Sequence, residues 1–372
     1  MKRLLLLGGG HAHLQVLKSL AEAPLRGVEA TLISPYTRQV YSGMLPGWVA
    51  GHYAIEQCIV PLAPLCHAAG ASFIEAAATN IDFARRAVRC NNDRDVPFDV
   101  LSVDTGPEAN TSIIAGAIEH ATAVRPIESF IDDFSRIAAE VSRRAGTGQQ
   151  TRIVFVGAGA AGVELALSMQ HAFRDLRSEF TLISAANTLP GSVGPRLLRI
   201  MRARGFKLFP GKAAAAIEAG RVTLQSGEAI DANHVIVSTG AVAATWPAAS
   251  GLKTDEGGFI LVDDHLQSIS HPGVFAVGDC ATMVNHTRPK SGVYAVRAGP
   301  PLAENLRRCL RGEALVNYVP QQRSLYLIST GNKYAIGSWG NFAWEGKWVW
   351  RWKDRIDRGF VGKYLVSPSS LN

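Results

Sequence analysis

Apolar runs that end in glycine occur twice along the chain and predict two similar β-strand–helix–β-strand units. The run at 4–7 is LLLL and the run at 153–156 is IVFV, and each leads through a glycine turn into a stretch with helical spacing of apolar residues. A second apolar strand follows in both cases, and each ends in the sequence TLIS, at 31–34 and at 181–184. Two units of about 27 residues with this order of elements are typical of dinucleotide binding.

The glycine turns themselves place small residues where a pyrophosphate would need them. The first turn contains Gly8 and Gly10, and the second contains Gly157, Gly159 and Gly162. The first glycine of this motif permits a tight turn, the second lets the backbone approach the pyrophosphate, and the third lets helix and strand pack closely. The start of the helix then presents free N–H groups and the positive end of its dipole to the phosphates.

Both turns depart from the full motif. His13 stands where the third glycine of the first turn belongs, so we expect its helix to lie slightly further from the strand. Ser34 and Ser184 stand where an acid usually binds the adenosine ribose. Because a serine can bind a ribose hydroxyl without repelling a 2′-phosphate, the second site is predicted not to exclude NADPH.

Composition limits the class of protein. The chain has 372 residues, enough for two or three domains, and 47% hydrophobic with 19% charged residues is typical of a globular protein. The net charge of +7 favours an anionic partner, but the basic residues are dispersed and no nucleic-acid recognition motif accompanies them. The four leucines near the N-terminus are too few for a signal peptide, and no apolar stretch reaches the length of a membrane span. The scattered cysteines suit a reducing cytosol, so the expected location is cytoplasmic.

The five cysteines are scattered, which argues against a metal site or a disulfide framework. Cys58 and Cys66 are too far apart in the sequence to form the close redox pair of a disulfide reductase. Cys280 is predicted to be a small buried residue, as free cysteines usually are.

A third signature lies late in the chain, where GVFAVGD at 273–279 predicts a short strand ending in Gly278 and Asp279. Such an acid can bind a sugar-alcohol chain, although Gly-Asp is also an ordinary turn. With the two glycine turns and the Thr-Gly pairs at 105–106 and 239–240, this signature resembles the pyridine nucleotide-disulfide oxidoreductase superfamily of flavoproteins. That superfamily includes type II NADH dehydrogenases and sulfide:quinone reductases, and the resemblance covers about residues 1–310.

A narrower resemblance is carried by PY at 35–36 with YSGMLPG at 41–47, by PKSGVYAVR at 289–297 and by Gly340 followed by a Trp-rich end. These segments are similar to a subgroup associated with selenide, water dikinase.

The resemblance implies an FAD-dependent NAD(P)H oxidoreductase without a redox-active disulfide. The residues implied for FAD are Gly8, Gly10, His11, Ser34, Gly43, Thr105, Gly106, Gly278, Asp279 and Val293. Those implied for NADH or NADPH are Gly157, Gly159, Gly162, Ser184 and Gly240. The helix that begins near Gly292 would point its N-terminus at the flavin and favour the anionic reduced form.

Two residues are candidates for catalysis. Glu164 occupies a position that lies near the nicotinamide in related dehydrogenases, or it is an acid that complements the dipole of its own helix. Lys290, together with Arg297, either places cations near the flavin or is a solvated surface charge. Hydride transfer itself needs stacking and alignment and no general acid.

The electron acceptor stays open at this point. Arg297 and Ala298 stand where related quinone reductases carry glutamines, which does not favour quinone. A quinone or a sulfur or selenium species are the small-molecule candidates, and the alternative is a flavin-based redox sensor with little turnover.

The C-terminal segment is rich in tryptophan and cations. The alternation of Trp348, Trp350 and Trp352 predicts a strand with one buried face in a folded subdomain. The alternative is peripheral contact with the inner face of a membrane, because amphipathic aromatics among cations suit a lipid interface.

The predicted fold is therefore α/β, with two Rossmann-like domains. The FAD-binding domain is discontinuous, at 1–110 and 241–320, and the NAD(P)-binding domain at 111–240 interrupts it. A C-terminal subdomain at 321–372 completes the chain.

Overall fold

The first part of the chain builds most of a parallel sheet and its covering helices. The computed structural model describes residues 1–187, 189 and 191–366. The elements of this first part are β1 (Lys2–Leu7), α1 (His11–Glu22), β2 (Val28–Ser34), β3 (Arg38–Val40), α2 (Leu45–Val49), β4 (Ile59–Pro61), α3 (Leu62–Ala68), β5 (Ala71–Glu75), β6 (Ala78–Asp82), β7 (Ala87–Cys90), β8 (Asp95–Pro97), β9 (Val100–Val103) and β10 (Glu108–Ala109).

The second part repeats this plan with its own sheet. Its elements are α4 (Ala117–His120), β11 (Thr122–Ala123), α5 (Ile127–Gly146), β12 (Thr151–Val156), α6 (Ala160–Ala172), β13 (Ser178–Ser184), α7 (Gly194–Ala203), β14 (Lys207–Pro210), β15 (Ala214–Glu218), β16 (Arg221–Leu224), β17 (Ala229–Asp231) and β18 (His234–Val237). The chain then continues through β19 (Ala241–Val242), α8 (Trp246–Ala249), β20 (Ile260–Val262), β21 (Val274–Ala276), β22 (Ala281–Met283) and α9 (Gly292–Arg311). The C-terminal elements are β23 (Leu325–Ser329), β24 (Ala335–Trp339), β25 (Phe342–Gly346) and α10 (Lys347–Tyr364).

Two five-stranded parallel sheets dominate the fold. The first has the strand order β21-β9-β1-β2-β5 and the second the order β11-β18-β12-β13-β14. Strand β21 comes after the whole second sheet in sequence but pairs in parallel with β9 of the first. The first sheet is therefore built from two separate stretches of chain, which confirms the predicted fold class. The boundaries at 110, 240 and 320 stay predictions.

The central strands are apolar throughout because both faces of each sheet are covered. In β1, Leu4 and Leu6 belong to the core under α1 and α9, whereas Leu5 and Leu7 belong to the core on the opposite face. Helices α1 and α9 pack closely at Gly299, where an added Cβ would lie 2.8 Å from Cβ of Gln15. This contact fixes the starts of both helices at the carboxyl edge of the sheet, where α/β proteins bind their ligands.

The C-terminal part is an antiparallel meander of β23, β24 and β25 followed by α10. The strand predicted for Trp348, Trp350 and Trp352 is wrong, because all three lie in α10. The buried stripe of that helix is Val349, Lys353, Asp357, Val361 and Tyr364, a spacing of three or four residues that only a helix places on one face. In the sequence, the helical spacing of α10 is hidden because two of its buried positions, Lys353 and Asp357, are charged. The alternating tryptophans then give the stronger apolar pattern, which is that of a strand.

Candidate functional site

The first glycine turn connects β1 to α1 at the carboxyl edge of the first sheet. Gly8 has a φ of +88°, and a Cβ there would lie 2.4 Å from the carbonyl oxygen of Asp104. Its N–H donates to the carbonyl of Ile33 at 2.8 Å. Only glycine meets both the positive φ and the close approach of β9, so the turn requires this residue.

Asp104, at the end of β9, fills the space beside the second glycine. Its carboxylate accepts hydrogen bonds from the N–H groups of Ala12 at 2.9 Å and His13 at 3.1 Å, in the first turn of α1. A Cβ on Gly10 would lie 2.3 Å from Cγ of Asp104, and one on Gly278 would lie 2.6 Å from its Oδ1. Burial raises the pKa of Asp104 to about 7, although the two N–H donors oppose this shift. The predicted residues Gly10 and Gly278 thus meet around a buried acid.

His13, in place of the third glycine, is completely buried between α1 and the sheet. Its Nδ1 lies 2.6 Å from the carbonyl oxygen of Gly8, and its Nε2 lies 2.8 Å from Oγ of Ser102. Burial lowers the pKa of His13 to about 4, so the ring is neutral and donates through one nitrogen while accepting through the other. The imidazole therefore joins helix, turn and strand in the space that the third glycine usually leaves for direct packing.

The second glycine turn connects β12 to α6 and follows the motif more closely. Gly157 has a φ of +109°, and a Cβ there would lie 2.3 Å from the carbonyl oxygen of Ser238. A Cβ on Gly162 would lie 2.8 Å from the carbonyl oxygen of Gly157, so helix and turn are in direct contact. Beside Gly159, the described part of the chain places no atom within 4 Å of an added Cβ. This open side is what the approach of a pyrophosphate requires.

The polar residues predicted beside the turns lie at the ends of the expected strands. Ser34 ends β2, and its Oγ accepts from the N–H of Tyr36 at 3.2 Å. Ser184 ends β13 and donates its hydroxyl to the carbonyl of Ala186 at 2.9 Å. Each hydroxyl oxygen can still accept a further hydrogen bond.

The two Thr-Gly pairs follow β9 and β18. Gly106 has a φ of +72°, so the chain turns there just after Thr105. The hydroxyl of Thr239 donates to the carbonyl of Asn110 at 2.8 Å and ties the segment before Gly240 to the end of β10. Both pairs therefore lie where the chain passes between the two sheets.

Asp279 lies in a short 3₁₀ turn after β21, next to the start of α9, which contains Val293. Its carboxylate is 3.4 Å from the guanidinium of Arg125, a residue that the sequence did not single out. Burial raises the pKa of Asp279, and Arg125 opposes that shift. Arg125 thus brings a cation from the second unit to the acid of the first.

His11, the first residue of α1, forms a wall of the same region. Its ring centroid is 5.6 Å from that of Tyr41 and 5.5 Å from that of Phe360, and the rings of Tyr41 and Phe360 stack at 4.2 Å. Its Nε2 is buried and has no partner within the described residues. Burial, with Arg125 nearby, lowers the pKa of His11 to about 4, so the ring is neutral at physiological pH.

Glu164, whose side chain is 13% exposed, lies at the junction of three parts of the molecule. Its Oε1 accepts from the N–H of Ser329 in β23 at 2.7 Å and is 3.8 Å from Nζ of Lys353 in α10. Lys353 also donates to the carbonyl of Gly43 at 2.6 Å and to Asp357 at 2.7 Å. The structure therefore joins two predicted residues, Glu164 and Gly43, through a lysine that sequence reasoning missed.

The charges in this cluster do not balance, because two acids share one lysine. Burial raises the pKa of Glu164 to about 7, and Lys353 only partly offsets it. Burial lowers the pKa of Lys353, but Glu164 and Asp357 together raise it above its usual value, so the lysine keeps its proton. Burial also raises the pKa of Tyr41, which hydrogen-bonds Asp357. Glu164 is thus a carboxyl group that changes protonation near neutral pH.

Lys290 lies apart from the Glu164 cluster. Its Nζ donates to the carbonyl of Ala281 and, at 2.8 Å, to the hydroxyl of Thr282, and it is 4.0 Å from the ring centroid of Phe259. Burial lowers the pKa of Lys290. It is not a solvated surface charge, whereas Arg297 is exposed.

The cysteines offer no redox pair. All five lie in the described residues as free thiols, and four of them are buried. Cys280 directs its Sγ to the carbonyl of Val277 at 3.0 Å, and burial raises the pKa of this thiol to about 12. Burial and the raised pKa make this thiol a poor nucleophile.

The residues at both turns fit dinucleotides. At the first turn, the N–H groups of Gly9, Gly10 and His11 donate to no acceptor within the described residues, and His11 adds an unpartnered ring nitrogen. Asp279 supplies a buried carboxylate nearby, and the start of α9 adds a helix N-terminus. At the second turn, the open side of Gly159 faces the start of α6. Two nucleotide-binding units, one of them completed by a late Gly-Asp signature, define a two-dinucleotide oxidoreductase.

Comparison with known proteins agrees with this class. The chain belongs to the pyridine nucleotide-disulphide oxidoreductase family, whose model matches residues 2–299. It is an FAD-dependent NAD(P)H oxidoreductase. The narrower resemblance to the subgroup associated with selenide, water dikinase stays a prediction.

Individual relatives cover most of the chain. It is 30% identical to a nitric oxide reductase FlRd-NAD(+) reductase of Aeromonas salmonicida, over 75% of this chain and 71% of the relative. It is 26% identical to a type II NADH:quinone oxidoreductase of Staphylococcus epidermidis, over 85% of each. The solved sulfide:quinone oxidoreductase of Aquifex aeolicus shares the fold with a TM-score of 0.82 at 18% identity, over 99% of this chain and 93% of that one.

Proposed function

We propose that NAD(P)H binds at the Gly157 turn, that FAD is held by the Gly8 turn with Asp279, and that the acceptor takes up a proton supplied by Glu164. When bound, FAD supplies a ring that accepts a hydride from NAD(P)H and returns two electrons to an acceptor. The observation that carries the proposal is the position of Glu164, which is largely shielded from solvent where both nucleotide units meet the C-terminal subdomain. Gly8, Gly10, Gly278 and Asp279 bind and orient the cofactor.

The chain's own groups divide the remaining work. Lys353 stays protonated and fixes Gly43 and Asp357, so it orients the cluster and holds positive charge there. Glu164 holds a proton on its carboxyl group below about pH 7 and can release it when an acceptor is reduced. The stacked rings of Tyr41 and Phe360, beside His11, exclude water from this region.

The acceptor is proposed to be a small molecule that gains protons with its electrons. Quinone fits this description, and two of the proteins compared above are quinone reductases by name. Sulfur or selenium species also fit this description. They remain candidates because Arg297 and Ala298 stand where related quinone reductases carry glutamines. A panel of these acceptors, added to FAD-loaded protein with excess NAD(P)H, separates them. Sustained turnover with at least one acceptor is expected, whereas a single stoichiometric reduction with every acceptor would support a redox sensor instead.

The role of Glu164 is tested by Glu164→Gln. In the natural protein the acceptor-dependent rate should fall as the pH rises through about 7, because the proton on Glu164 is lost. In the variant this step should disappear, with a rate about 10-fold lower at pH 6, while reduction of the flavin by NAD(P)H is unchanged.

The matched control is Glu140→Gln, the same change at a half-buried glutamate of α5 that pairs with Arg143 at 2.8 Å, away from the Glu164 cluster. It should leave the pH profile as it was. An unchanged step near pH 7 in Glu164→Gln would remove Glu164 from the proposal.

We also propose that the outer face of α10 contacts an anionic membrane surface. Trp348, Trp352 and Ile356 are 55%, 39% and 41% exposed and lie one helical turn apart. Arg351 and Arg355 flank them and are exposed as well, so aromatic and aliphatic groups are bordered by cations, as at lipid interfaces. Among the described residues, no helix has the length and apolar content needed to cross a bilayer, so such contact would be peripheral.

Deletion of the C-terminal segment is a poor test, because α10 also carries the buried Lys353 and Asp357. The double variant Trp348→Ser with Ile356→Ser changes only the exposed face. It should lose co-sedimentation with anionic lipid vesicles, while the natural protein and Ile118→Ser, which alters a 71% exposed residue elsewhere, both sediment. Equal sedimentation of all three would refute membrane contact through this face.

A further inference from the structure

His52 lies at the same three-way junction as Glu164. It follows α2 in the first unit and is partly buried. Its ring centroid is 5.6 Å from that of His171, near the end of α6, and 5.5 Å from that of Trp350 in α10. Burial lowers the pKa of His171 to about 4, so this neighbour adds no charge at physiological pH. The proposed function assigns no role to His52, although it contacts both of the other parts that surround Glu164.

The ring of His52 also forms a hydrogen bond with the C-terminal part. Its Nε2 lies 2.7 Å from the carbonyl oxygen of Gly331, in the turn between β23 and β24. Because a carbonyl oxygen only accepts, Nε2 carries the proton. Burial lowers the pKa of His52, and Lys333 and Arg174 add to this, whereas the hydrogen bond and Asp354 oppose it. The neutral ring therefore donates from the first unit to the turn.

The other side of this turn lies against α6. Gly331 has a φ of +86°, and a Cβ there would lie 2.6 Å from the carbonyl oxygen of Leu167 and 2.8 Å from Cβ of His171. Only glycine meets both the positive φ and this close approach to the helix. The turn is therefore held from two sides, by the backbone of α6 and by the ring of His52.

The same turn supplies a hydrogen bond to Glu164. Ser329, two residues before Gly331, donates its N–H to Oε1 of Glu164 at 2.7 Å. The N–H of Gly331 donates to Oγ of Ser329 at 3.2 Å, which ties the two residues together. An N–H donor favours the ionised form of a carboxyl group. Burial raises the pKa of Glu164 to about 7 and Asp357 adds to this, whereas Lys353 and the N–H of Ser329 lower it.

We propose that His52 is a positioning residue which, through its hydrogen bond to the turn, holds the N–H of Ser329 against the carboxyl group of Glu164. Without that hydrogen bond the turn is held from one side only, and the N–H can move away. The carboxylate then loses a donor, so Glu164 keeps its proton to higher pH. The value of this for electron transfer rests on the proposed function of Glu164, but the protonation of Glu164 can be measured without turnover.

The test compares the pKa of Glu164 in the natural FAD-loaded protein and in His52→Phe. Phenylalanine keeps a ring between His171 and Trp350 but has no donor for Gly331. The pKa of Glu164 should rise by about 1 pH unit or more, the effect of losing one hydrogen bond to a charged group. Infrared difference spectra of the oxidised protein at successive pH values measure this, and the band of Glu164 is the one that Glu164→Gln lacks.

Two further variants separate the lost donor from a change of shape. His52→Leu, a smaller side chain that also has no donor, should give the same rise. His52→Gln places an amide N–H where Nε2 of the imidazole lies, so it should return the pKa of Glu164 towards its natural value. The control is His67→Phe, the same change at an exposed histidine of α3, and it should leave that pKa unchanged.

Melting curves show which variants are folded. An unchanged pKa of Glu164 in folded His52→Phe or His52→Leu would overturn the proposal, and so would an equal rise in His52→Gln or in His67→Phe. The pH profile of the acceptor-dependent rate, measured on the same samples, reports on the proposed function. A shifted infrared pKa without any step in the rate would support the positioning role of His52 and remove Glu164 from electron transfer.

Discussion

The two glycine turns differ in what lies beside their second and third glycines. At the first turn, the space next to Gly10 holds the carboxyl group of Asp104, and the third position is a buried histidine. At the second turn, the described residues leave the side of Gly159 open, and Gly162 lies in direct contact with the turn. Both connect a strand to a helix in a parallel sheet, so one local conformation is maintained by two sets of contacts.

The difference shows that a glycine motif predicts the backbone conformation of the turn but not which side chains pack against it. In the first unit, the side chain of Asp104 leaves no room for a Cβ at position 10, so Gly10 is needed there. The same carboxylate accepts hydrogen bonds from two N–H groups at the start of α1. In the second unit, the corresponding space is free for a ligand.

The largest expected effect is a difference in FAD retention between variants of the first glycine in each turn. Gly8→Ala and Gly157→Ala each place a Cβ about 2.4 Å from a backbone carbonyl oxygen at a positive φ. Gly8→Ala should be purified without FAD, because it distorts the turn that holds it. Gly157→Ala should retain FAD, since its distortion lies in the other unit. The ratio of flavin absorbance to protein absorbance measures this, and loss of FAD from both variants would contradict the assignment of the turns.

The next prediction concerns the third position. His13→Ala should lower the free energy of unfolding by about 3 kcal/mol, because it leaves a cavity and removes the partners of Gly8 and Ser102. Gly162→Ala should also destabilise, for the opposite reason, since its Cβ would lie 2.8 Å from the carbonyl oxygen of Gly157. Urea unfolding of the FAD-loaded proteins measures both. A neutral His13→Ala would mean that the imidazole does not join α1 to the sheet.

A smaller effect is expected on the pH dependence of stability. The pKa of Asp104 is raised to about 7 in the folded protein, so the folded state binds its proton more tightly than the unfolded state. Stability contributed by this group is complete below about pH 4 and is lost as the pH rises to about 7. Asp104→Asn keeps the two accepted hydrogen bonds without the charge, and it should remove about 2 kcal/mol of the loss between pH 5 and pH 8. An identical pH dependence in the variant would contradict a buried acid with a raised pKa.

The smallest effect is predicted for Gly159→Ala. Its φ of −61° suits alanine, and the described residues leave the space open, so the melting temperature should change little. The added methyl faces the expected pyrophosphate and should raise the dissociation constant for NAD(P)H by up to about 10-fold. Titration of the FAD-loaded protein with the nucleotide measures this, and unchanged affinity would place the pyrophosphate elsewhere.

The sequence was sufficient to predict the fold because the strong signals are local. Leu4 to Leu7 and the run at 153–156 are short apolar stretches followed by glycines, and such a pattern depends on few neighbours. Strand β21 and Asp279 were also predicted, since Gly278 and Asp279 directly follow an apolar run.

The side chains that surround the site could not be predicted in the same way. Asp104, Arg125 and Lys353 reach their partners across more than ninety positions of sequence, and nothing in their local pattern indicates burial. The tryptophans at 348, 350 and 352 suggested a strand because the helical stripe of α10 carries Lys353 and Asp357 in place of apolar residues. One signal in the sequence could have revealed the Glu164 cluster. Lys353 and Asp357 lie at helical spacing between the apolar residues Val349 and Val361, which suggests that both charges are buried.

The most direct test of the central claim is anaerobic mixing of the FAD-loaded protein with NADH or NADPH, followed by flavin absorbance. The natural protein should lose its oxidised flavin absorbance with one or both nucleotides, and Gly157→Ala should keep it, although the variant's flavin remains reducible by dithionite. Ser184 predicts that NADPH is among the effective nucleotides. No reduction of the natural protein by either nucleotide, or equal reduction of Gly157→Ala, would contradict the assignment of FAD to the first turn and NAD(P)H to the second.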